Sequence, residues 1–195
     1  MLIIIFIGMK ILLLLLVLFL YSCTSISGDT VITQSHIDTY IEKISPLLKS
    51  KDNKEVVFYV DLTRHSGSNR FFVIDLKTQR LLNAGLTCNG VTDKYGKVIY
   101  SNRPGSHASS KGLYKVGYSY TGKFGKSYKL HGLNATNSNA FRIAIVLHKY
   151  KWMPTTEVPT RIFESEGCPT VSPRFFKELS KIIKDSNKPV LLYIQ

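Results

Sequence analysis

The pattern of apolar and polar positions divides the chain into an apolar N-terminal run and a domain that mixes helical and strand periodicity. Residues 2–20 are apolar apart from Gly8 and Lys10. Residues 34–49 carry apolar side chains at helical spacing, which predicts an amphipathic helix bent at Pro46. Beyond this helix the apolar side chains alternate with a period of two, which is typical of strands.

The alternation predicts a sheet of short strands followed by a second helix. The predicted strands are 56–60, 70–76, 113–120, 127–130, 141–148 and 190–194. We expect the apolar run 141–148 to be central in the sheet, because a strand buried on both faces is apolar throughout. Ser172 and Pro173 predict the N-cap and first turn of the second helix. The predicted fold class is all-β or β-rich α+β, with one N-terminal helix and one helix near the C-terminus.

Composition limits the class of protein. The chain has 195 residues, 44% of them hydrophobic and 20% charged, which suits one folded domain behind a targeting segment. It contains no glycine-rich phosphate loop and no internal repeat, so nucleotide enzymes of the common kinds and solenoids are excluded. The three cysteines follow no zinc spacing. We therefore expect neither a metal nor a cofactor.

Residues 1–23 are a targeting segment that has three interpretations. If translation starts at Met9 rather than Met1, Lys10 is the positive n-region of a secretory signal, and an apolar core follows it. The sequence Leu-Tyr-Ser-Cys then resembles a bacterial lipobox, in which Cys23 is lipidated. The alternatives are an uncleaved membrane anchor and a cleaved signal without lipid, and all three export the domain. The predicted boundaries are a targeting segment 1–23, a tether 24–34 and a domain 35–195.

The net charge bears on possible partners. Lys and Arg number 26 against 13 Asp and Glu, giving +13. For an exported protein the anionic partners are the membrane surface and the cell-wall polymer, whereas export argues against nucleic acid. A solvated basic surface without a special partner is equally open, and the oligomeric state is not predicted.

The residues that suggest chemistry are His148 and Cys168, the second within the sequence Ser-Glu-Gly-Cys-Pro. A thiol nucleophile needs a base or a positive neighbour, because the thiolate is the reactive form. Gly167 lets a substrate carbonyl approach the backbone, where the N–H groups of Gly167 and Cys168 would form an oxyanion hole. The alternative is a buried structural cysteine and an unrelated histidine.

The sequence His148…Ser165-x-Gly167-Cys168-Pro169 resembles the signature of the YkuD-type L,D-transpeptidase catalytic domain, in its murein L,D-transpeptidase-like branch. The resemblance covers residues 35–195. Other segments that resemble this branch follow in the same order along the chain: 58–61, 70–76, 101–102, 109–112, 122–127, 130–133 and 137–148.

The resemblance implies a cysteine enzyme that acts on peptidoglycan stem peptides without a cofactor. Cys168 would attack the carbonyl at the L-centre of the third residue and release D-Ala, leaving a thioester, and His148 would act as the base. An amine acceptor makes the enzyme a transpeptidase and water makes it an L,D-carboxypeptidase. The residues expected at the substrate are Ser165, Ser101, Asn102, Ser110, His131 and Arg161.

The chain departs from the branch at three places near the signature. It has Glu164 where the branch carries an arginine, Glu166 before the Gly-Cys pair, and Asn89 in place of a histidine. A carboxylate beside a thiol disfavours the thiolate. Two alternatives therefore stay open: a catalytically inactive peptidoglycan-binding lipoprotein, and a different cysteine hydrolase of the envelope.

Overall fold

The computed structural model describes residues 31–195. The predictions for the targeting segment, for the lipidation of Cys23 and for most of the tether lie outside the described residues. Between residues 31 and 195, no helix has the length and apolar character needed to cross a membrane.

An eight-stranded mixed sheet forms the framework of the domain. The strands are β1 (Val56–Val60), β2 (Phe71–Asp75), β3 (Arg80–Gly85), β4 (Gly112–Gly122), β5 (Gly125–Gly132), β6 (Val146–Lys149), β7 (Thr170–Val171) and β8 (Leu191–Ile194). Their order in the sheet is β3-β2-β1-β8-β4-β5-β6-β7. The pairs β1–β8 and β6–β7 are parallel, and the other neighbours are antiparallel. Strand β8, the last in the described sequence, thus lies in the middle of the sheet, between β1 and β4.

Two helices cover opposite faces of this sheet. Helix α1 (Gln34–Ile44) packs Ile37, Tyr40 and Ile44 into one hydrophobic cluster, which includes Val57 and Tyr59 of β1. Helix α2 (Pro173–Asp185) contributes to the other cluster, which includes the alternate residues of β1. Successive side chains of a strand point to opposite faces, so β1 is buried on both sides. The β-rich α+β fold predicted from the sequence is confirmed.

The helix ends follow the predicted signals. The predicted helix 34–49 stops at Ile44 and continues as a short 3-10 turn, Ser45–Leu47, that contains Pro46. Proline has no N–H to donate to the preceding turn, which explains the change of helix type. Ser172 caps α2 by accepting a hydrogen bond from the Phe175 N–H at 3.2 Å.

The predicted central strand 141–148 is wrong in extent and position. Only Val146–Lys149 forms a strand, and this strand lies next to the end of the sheet, followed only by the two-residue β7. The preceding residues form a turn, in which Ala144 has a φ of +59° and the Ile145 N–H bonds to the Ala140 carbonyl. Within the run only residues 145–148 are buried, with Ile145, Val146 and Leu147 in the core, whereas Phe141 in the turn is 44% exposed. Strands β3 and β7 were not predicted.

Candidate active site

The two predicted catalytic residues lie at the β6–β7 edge of the sheet. His148 is in β6, and Cys168 precedes β7 by two residues. The parallel register places His148 opposite Thr170. Both candidate side chains are buried, with exposed fractions of 4% for His148 and 8% for Cys168. Strand pairing therefore brings a histidine and a cysteine that are 20 positions apart into one neighbourhood.

The Cys168 thiol is held by the backbone that leads into β6. The Val146 N–H donates to Sγ at 3.5 Å. The thiol in turn donates a long hydrogen bond to the Ala144 carbonyl oxygen, with Sγ and the oxygen 3.9 Å apart. Ala144 is the residue with positive φ, so the carbonyl that faces the thiol belongs to a sparsely populated backbone conformation. In this arrangement the thiol is bonded to backbone and not to the imidazole.

The His148 imidazole is fixed on three sides. Nδ1 lies 3.1 Å from the Lys149 carbonyl oxygen, which can only accept, so Nδ1 carries the proton. Nε2 then holds the lone pair and accepts from the Thr170 hydroxyl at 3.0 Å. The ring stacks on Phe124, with centroids 4.0 Å apart and planes 15° from parallel. Thr170 Oγ1 also lies 3.3 Å from the Cys168 carbonyl, so this threonine links the two candidate residues.

The environment favours the neutral forms of both groups. Burial raises the pKa of the Cys168 thiol, and the Glu166 carboxylate adds to this rise, while the Val146 N–H and Lys129 oppose it. Burial lowers the pKa of His148, and its hydrogen bond to the Lys149 carbonyl opposes that shift. At neutral pH the described site is therefore a thiol beside a neutral imidazole.

Gly167 sits where a side chain would not fit. Its φ is +97°, and a Cβ there would lie 2.5 Å from the Ala108 carbonyl oxygen. Its N–H donates to Ser165 Oγ at 3.2 Å. The Ser165 N–H binds the Asn89 carbonyl at 2.7 Å, so the loop is tied to the chain that follows β3. The Gly167 N–H could bind a substrate oxyanion only after its hydrogen bond to Ser165 Oγ breaks.

Most of the polar residues expected to contact substrate instead form hydrogen bonds or ring contacts within the domain. Ser110 is buried and donates to the Ser101 carbonyl at 2.7 Å. The Asn102 amide donates to the Ala135 carbonyl and to Ser138 Oγ, which joins two loops. His131 stacks on Phe141, with ring centroids 4.6 Å apart.

Ser101 lines an open cavity of about 480 Å³ that also includes Ala108. Because Ala108 contacts Gly167, this loop is next to the Cys168 segment. Ser101, with its neighbour Asn102, and Ser165 thus belong to loops that border the candidate nucleophile.

Of the three residues that depart from the expected signature, Glu164 and Glu166 are exposed and Asn89 is buried. Glu164 accepts from the Thr92 hydroxyl at 2.5 Å. Arg161 donates to the Gly96 carbonyl at 2.7 Å and lines a separate basic cavity. Asn89 Oδ1 accepts from the buried Arg70 guanidinium at 2.6 Å. Arg161, which was expected at the substrate, therefore contacts a cavity separate from the thiol.

Sequence reasoning missed Thr170 and Phe124, two side chains of residues 31–195 that contact the imidazole. Phe124 is at the β4–β5 turn, and only the pairing of β5 with β6 brings it to His148. Thr170 follows Cys168 in sequence, but its role depends on the β6–β7 register. The second cysteine in the described part of the chain, Cys88, is also a free thiol, buried 3.7 Å from the Met153 sulfur.

Replacing Phe124 with alanine is expected to raise the pKa of His148 toward its ordinary value, because burial is what lowers it and Phe124 covers one face of the ring. The His148 ring protons, followed by NMR over pH, measure this shift. Tyr118→Ala is the control, since Tyr118 lies in β4 of the same hairpin with 60% of its surface exposed. An unchanged titration in the Phe124 variant would contradict the assignment.

Fold and site together define a β-rich domain with a buried thiol and imidazole at one sheet edge. The family model described as the L,D-transpeptidase catalytic domain, YkuD_2, matches residues 29–193. The chain therefore belongs to the family of L,D-transpeptidase catalytic domains, as its sequence motifs predict.

Solved structures resemble this fold at low sequence identity. The K307A mutant of the helical cell shape determining protein Pgp2 from Campylobacter jejuni has a TM-score of 0.50 at 12% identity, over 85% of this chain and 57% of that one. An L,D-transpeptidase from Mycobacterium smegmatis has a TM-score of 0.43 at 10% identity, over 72% and 58%. For an L,D-transpeptidase from Stackebrandtia nassauensis the values are 0.43, 14%, 82% and 64%.

The chain thus spans less than two thirds of the length of each of these three proteins. A search of the curated proteins found no match to it.

Proposed function

We propose that the protein is a cysteine-dependent L,D-transpeptidase or L,D-carboxypeptidase acting on peptidoglycan stem peptides. The observation that carries the proposal is the linked placement of Cys168, Thr170 and His148 beside Gly167, within a domain of this family. Thiol, base and a glycine-flanked backbone amide are the three parts that acyl transfer through a thioester requires.

The first half-reaction would transfer one acyl group and one proton. Cys168 Sγ forms a bond to the carbonyl carbon at the L-centre of the third stem residue, while its proton passes to His148 Nε2. The bond to D-Ala then breaks, and His148 returns the proton to the leaving amine. In the second half-reaction an amine or water attacks the thioester and transfers its proton to the same nitrogen. The bond from the carbonyl carbon to Sγ then breaks, and His148 returns the proton to the Cys168 thiolate.

This chemistry requires two changes from the described geometry. Sγ must leave the Val146 N–H and turn toward the imidazole, and the Thr170 hydroxyl must release Nε2. The Thr170 hydroxyl has the Cys168 carbonyl at 3.3 Å as its second partner, so it can turn aside without losing its hydrogen bond. The Nδ1 contact and the Phe124 stack hold the ring in place meanwhile.

Incubation with a purified disaccharide-tetrapeptide tests the proposal. We expect release of D-Ala, with a 3→3 crosslinked dimer when transpeptidation wins and a tripeptide when water wins. Chromatography with mass detection resolves these products. Sugar–peptide cleavage without D-Ala release would replace the proposal with another envelope hydrolase.

The second candidate function is a peptidoglycan-binding lipoprotein without turnover. It is favoured by the raised thiol pKa and by the bonding of Cys168 to backbone instead of to the base. Retention of the disaccharide-tetrapeptide by wild type and by Cys168→Ala alike, with no D-Ala released from either, would support this candidate and exclude the enzyme.

We further propose export to the cell envelope and membrane attachment through lipidated Cys23. The apolar run and the lipobox-like sequence support this localisation. Cys23→Ala is expected to move the protein from the membrane fraction to the soluble envelope fraction, as measured by fractionation and immunoblotting. Retention of the variant in the membrane would instead indicate an uncleaved apolar anchor.

A further inference from the structure

A second cavity, of about 400 Å³, lies beside the loops that follow β1 and β3. Four basic side chains line it, and the residues around it come from three separate segments of the chain. These basic residues are Arg64, Arg70, Lys97 and Arg161. No aspartate or glutamate is among its lining residues in the described part of the chain. This volume is within the usual range for small-ligand sites.

Arg70 makes this cavity unusual, because its side chain is 1% exposed and carries a charge. Its Nε donates to the Thr87 carbonyl at 2.8 Å and one terminal nitrogen donates to Asn89 Oδ1 at 2.6 Å. The other terminal nitrogen reaches the Arg64 carbonyl only at 3.5 Å. These three acceptors are neutral amide oxygens, so they satisfy donors without balancing the charge.

The surroundings of Arg70 also disfavour its charged form. Burial is the main reason that the pKa of Arg70 falls to about 10; Arg161 contributes to the fall, whereas Cys88 and Tyr100 oppose it. The nearby Asp61 carboxylate opposes this shift, but its oxygens accept from the Tyr40 and Thr63 hydroxyls at 2.8 and 2.6 Å. A buried cation without an ion-pair partner costs free energy unless an anion is bound beside it.

Two further cations at the cavity have no ion pair. Neither Lys97 nor Arg161 belongs to any of the three ion pairs found in residues 31–195. Arg161 uses one nitrogen on the Gly96 carbonyl, and its planar fork has further donors available for a carboxylate. Three uncompensated cations around one cavity suit a ligand with more than one negative charge.

The cavity is connected through Asn89 to the loop that carries Cys168. Asn89 lines the cavity, and its carbonyl accepts from the Ser165 N–H, three residues before Cys168. Arg161 lies on the segment that enters the same loop. A ligand in the cavity would therefore contact the segment that carries the thiol without occupying the thiol's own site.

We propose that this cavity binds a ligand that carries two or more carboxylates and has the size of a short acidic peptide. The peptide nature of the ligand rests on the proposed function, whereas the anion site does not require the thiol. A bidentate guanidinium–carboxylate contact at Arg161 would supply the specificity, and the charges of Lys97 and of the buried Arg70 would add to the attraction.

Calorimetric titration of the full-length chain in mild detergent with the tripeptide Glu-Glu-Glu tests this proposal at low salt. The double variant Arg161→Gln/Lys97→Gln is expected to bind roughly tenfold more weakly or worse, since charge-assisted hydrogen bonds contribute about 1.5–3 kcal/mol each. Lys177→Gln/Lys184→Gln removes the same charge from exposed positions of α2 and should bind as wild type does. The Gly96 and Asn89 amide resonances should shift on binding.

Three outcomes would overturn the proposal. They are no binding by wild type, equal losses in both double variants, and tighter binding of inorganic phosphate than of the tripeptide. Repeating the titration with Cys168→Ala tests the cavity independently of the thiol, and binding is expected to be unchanged. Tripeptide binding without D-Ala release by wild type refutes the enzyme alone, and D-Ala release without tripeptide binding refutes the cavity alone.

Discussion

Replacing Cys168 with alanine is expected to abolish covalent adduct formation with a carbapenem, as measured by the intact mass of the protein. The thiol is the only atom of the site that could form the thioester, so the loss should be complete rather than graded. Wild type should gain the mass of one acyl group per chain. We expect D-Ala release to disappear in the same variant.

Cys88→Ala is the matched control for this experiment. Cys88 is also buried and free, but burial raises its pKa to about 12, and it packs in a separate cluster with Leu86 and Met153. This variant should keep the adduct. An adduct that persists in Cys168→Ala and vanishes in Cys88→Ala would identify Cys88 as the nucleophile and contradict the assignment of Cys168.

The second large effect is expected from Gly167→Ala. The new Cβ would lie 2.5 Å from the Ala108 carbonyl, and the residue would be held at a φ of +97°, which alanine adopts only with strain. We expect a loss of roughly 3 kcal/mol in the free energy of unfolding. Because the displaced loop carries Cys168, acylation should fall at least about a hundredfold even in folded protein.

Gly105→Ala is the control that separates the backbone strain of a positive φ from the steric clash with Ala108. Gly105 also has a positive φ, of +72°, but a Cβ there would meet nothing within 4 Å. Its cost should be about 1 kcal/mol, without an effect on acylation. Denaturant unfolding and the rate of carbapenem acylation measure the two quantities. Equal effects of the two substitutions would show that contact with Ala108 does not position the loop.

Local sequence was sufficient where an element's own residues decide its structure. The strand 56–60 and the start of α2 at Ser172 and Pro173 were predicted because alternation and capping depend on neighbours in the chain. The same reasoning failed at 141–148, where an apolar run was assumed to be a strand in the middle of the sheet. Half of that run is a largely exposed turn, and no local pattern reveals that the strand begins only at Val146.

The candidate nucleophile and base could be named from the sequence because their motif is local and matches a known family. Their hydrogen bonds could not be predicted from the sequence. The Val146 contact to the thiol and the Thr170 contact to the imidazole exist only because β6 and β7 pair in one register. Register is determined by packing across the sheet, which one strand's sequence does not contain.

By itself, the sequence determined the β-rich fold, the family and the identity of the candidate residues, since periodicity and short motifs are properties of contiguous chain. Only the tertiary structure decided that the thiol is bonded to backbone, that Phe124 covers His148, and that Arg70 and Arg161 share a cavity. These features join residues from separate segments. Their geometry arises when the strands pair, because residues far apart along the chain then lie close together in space.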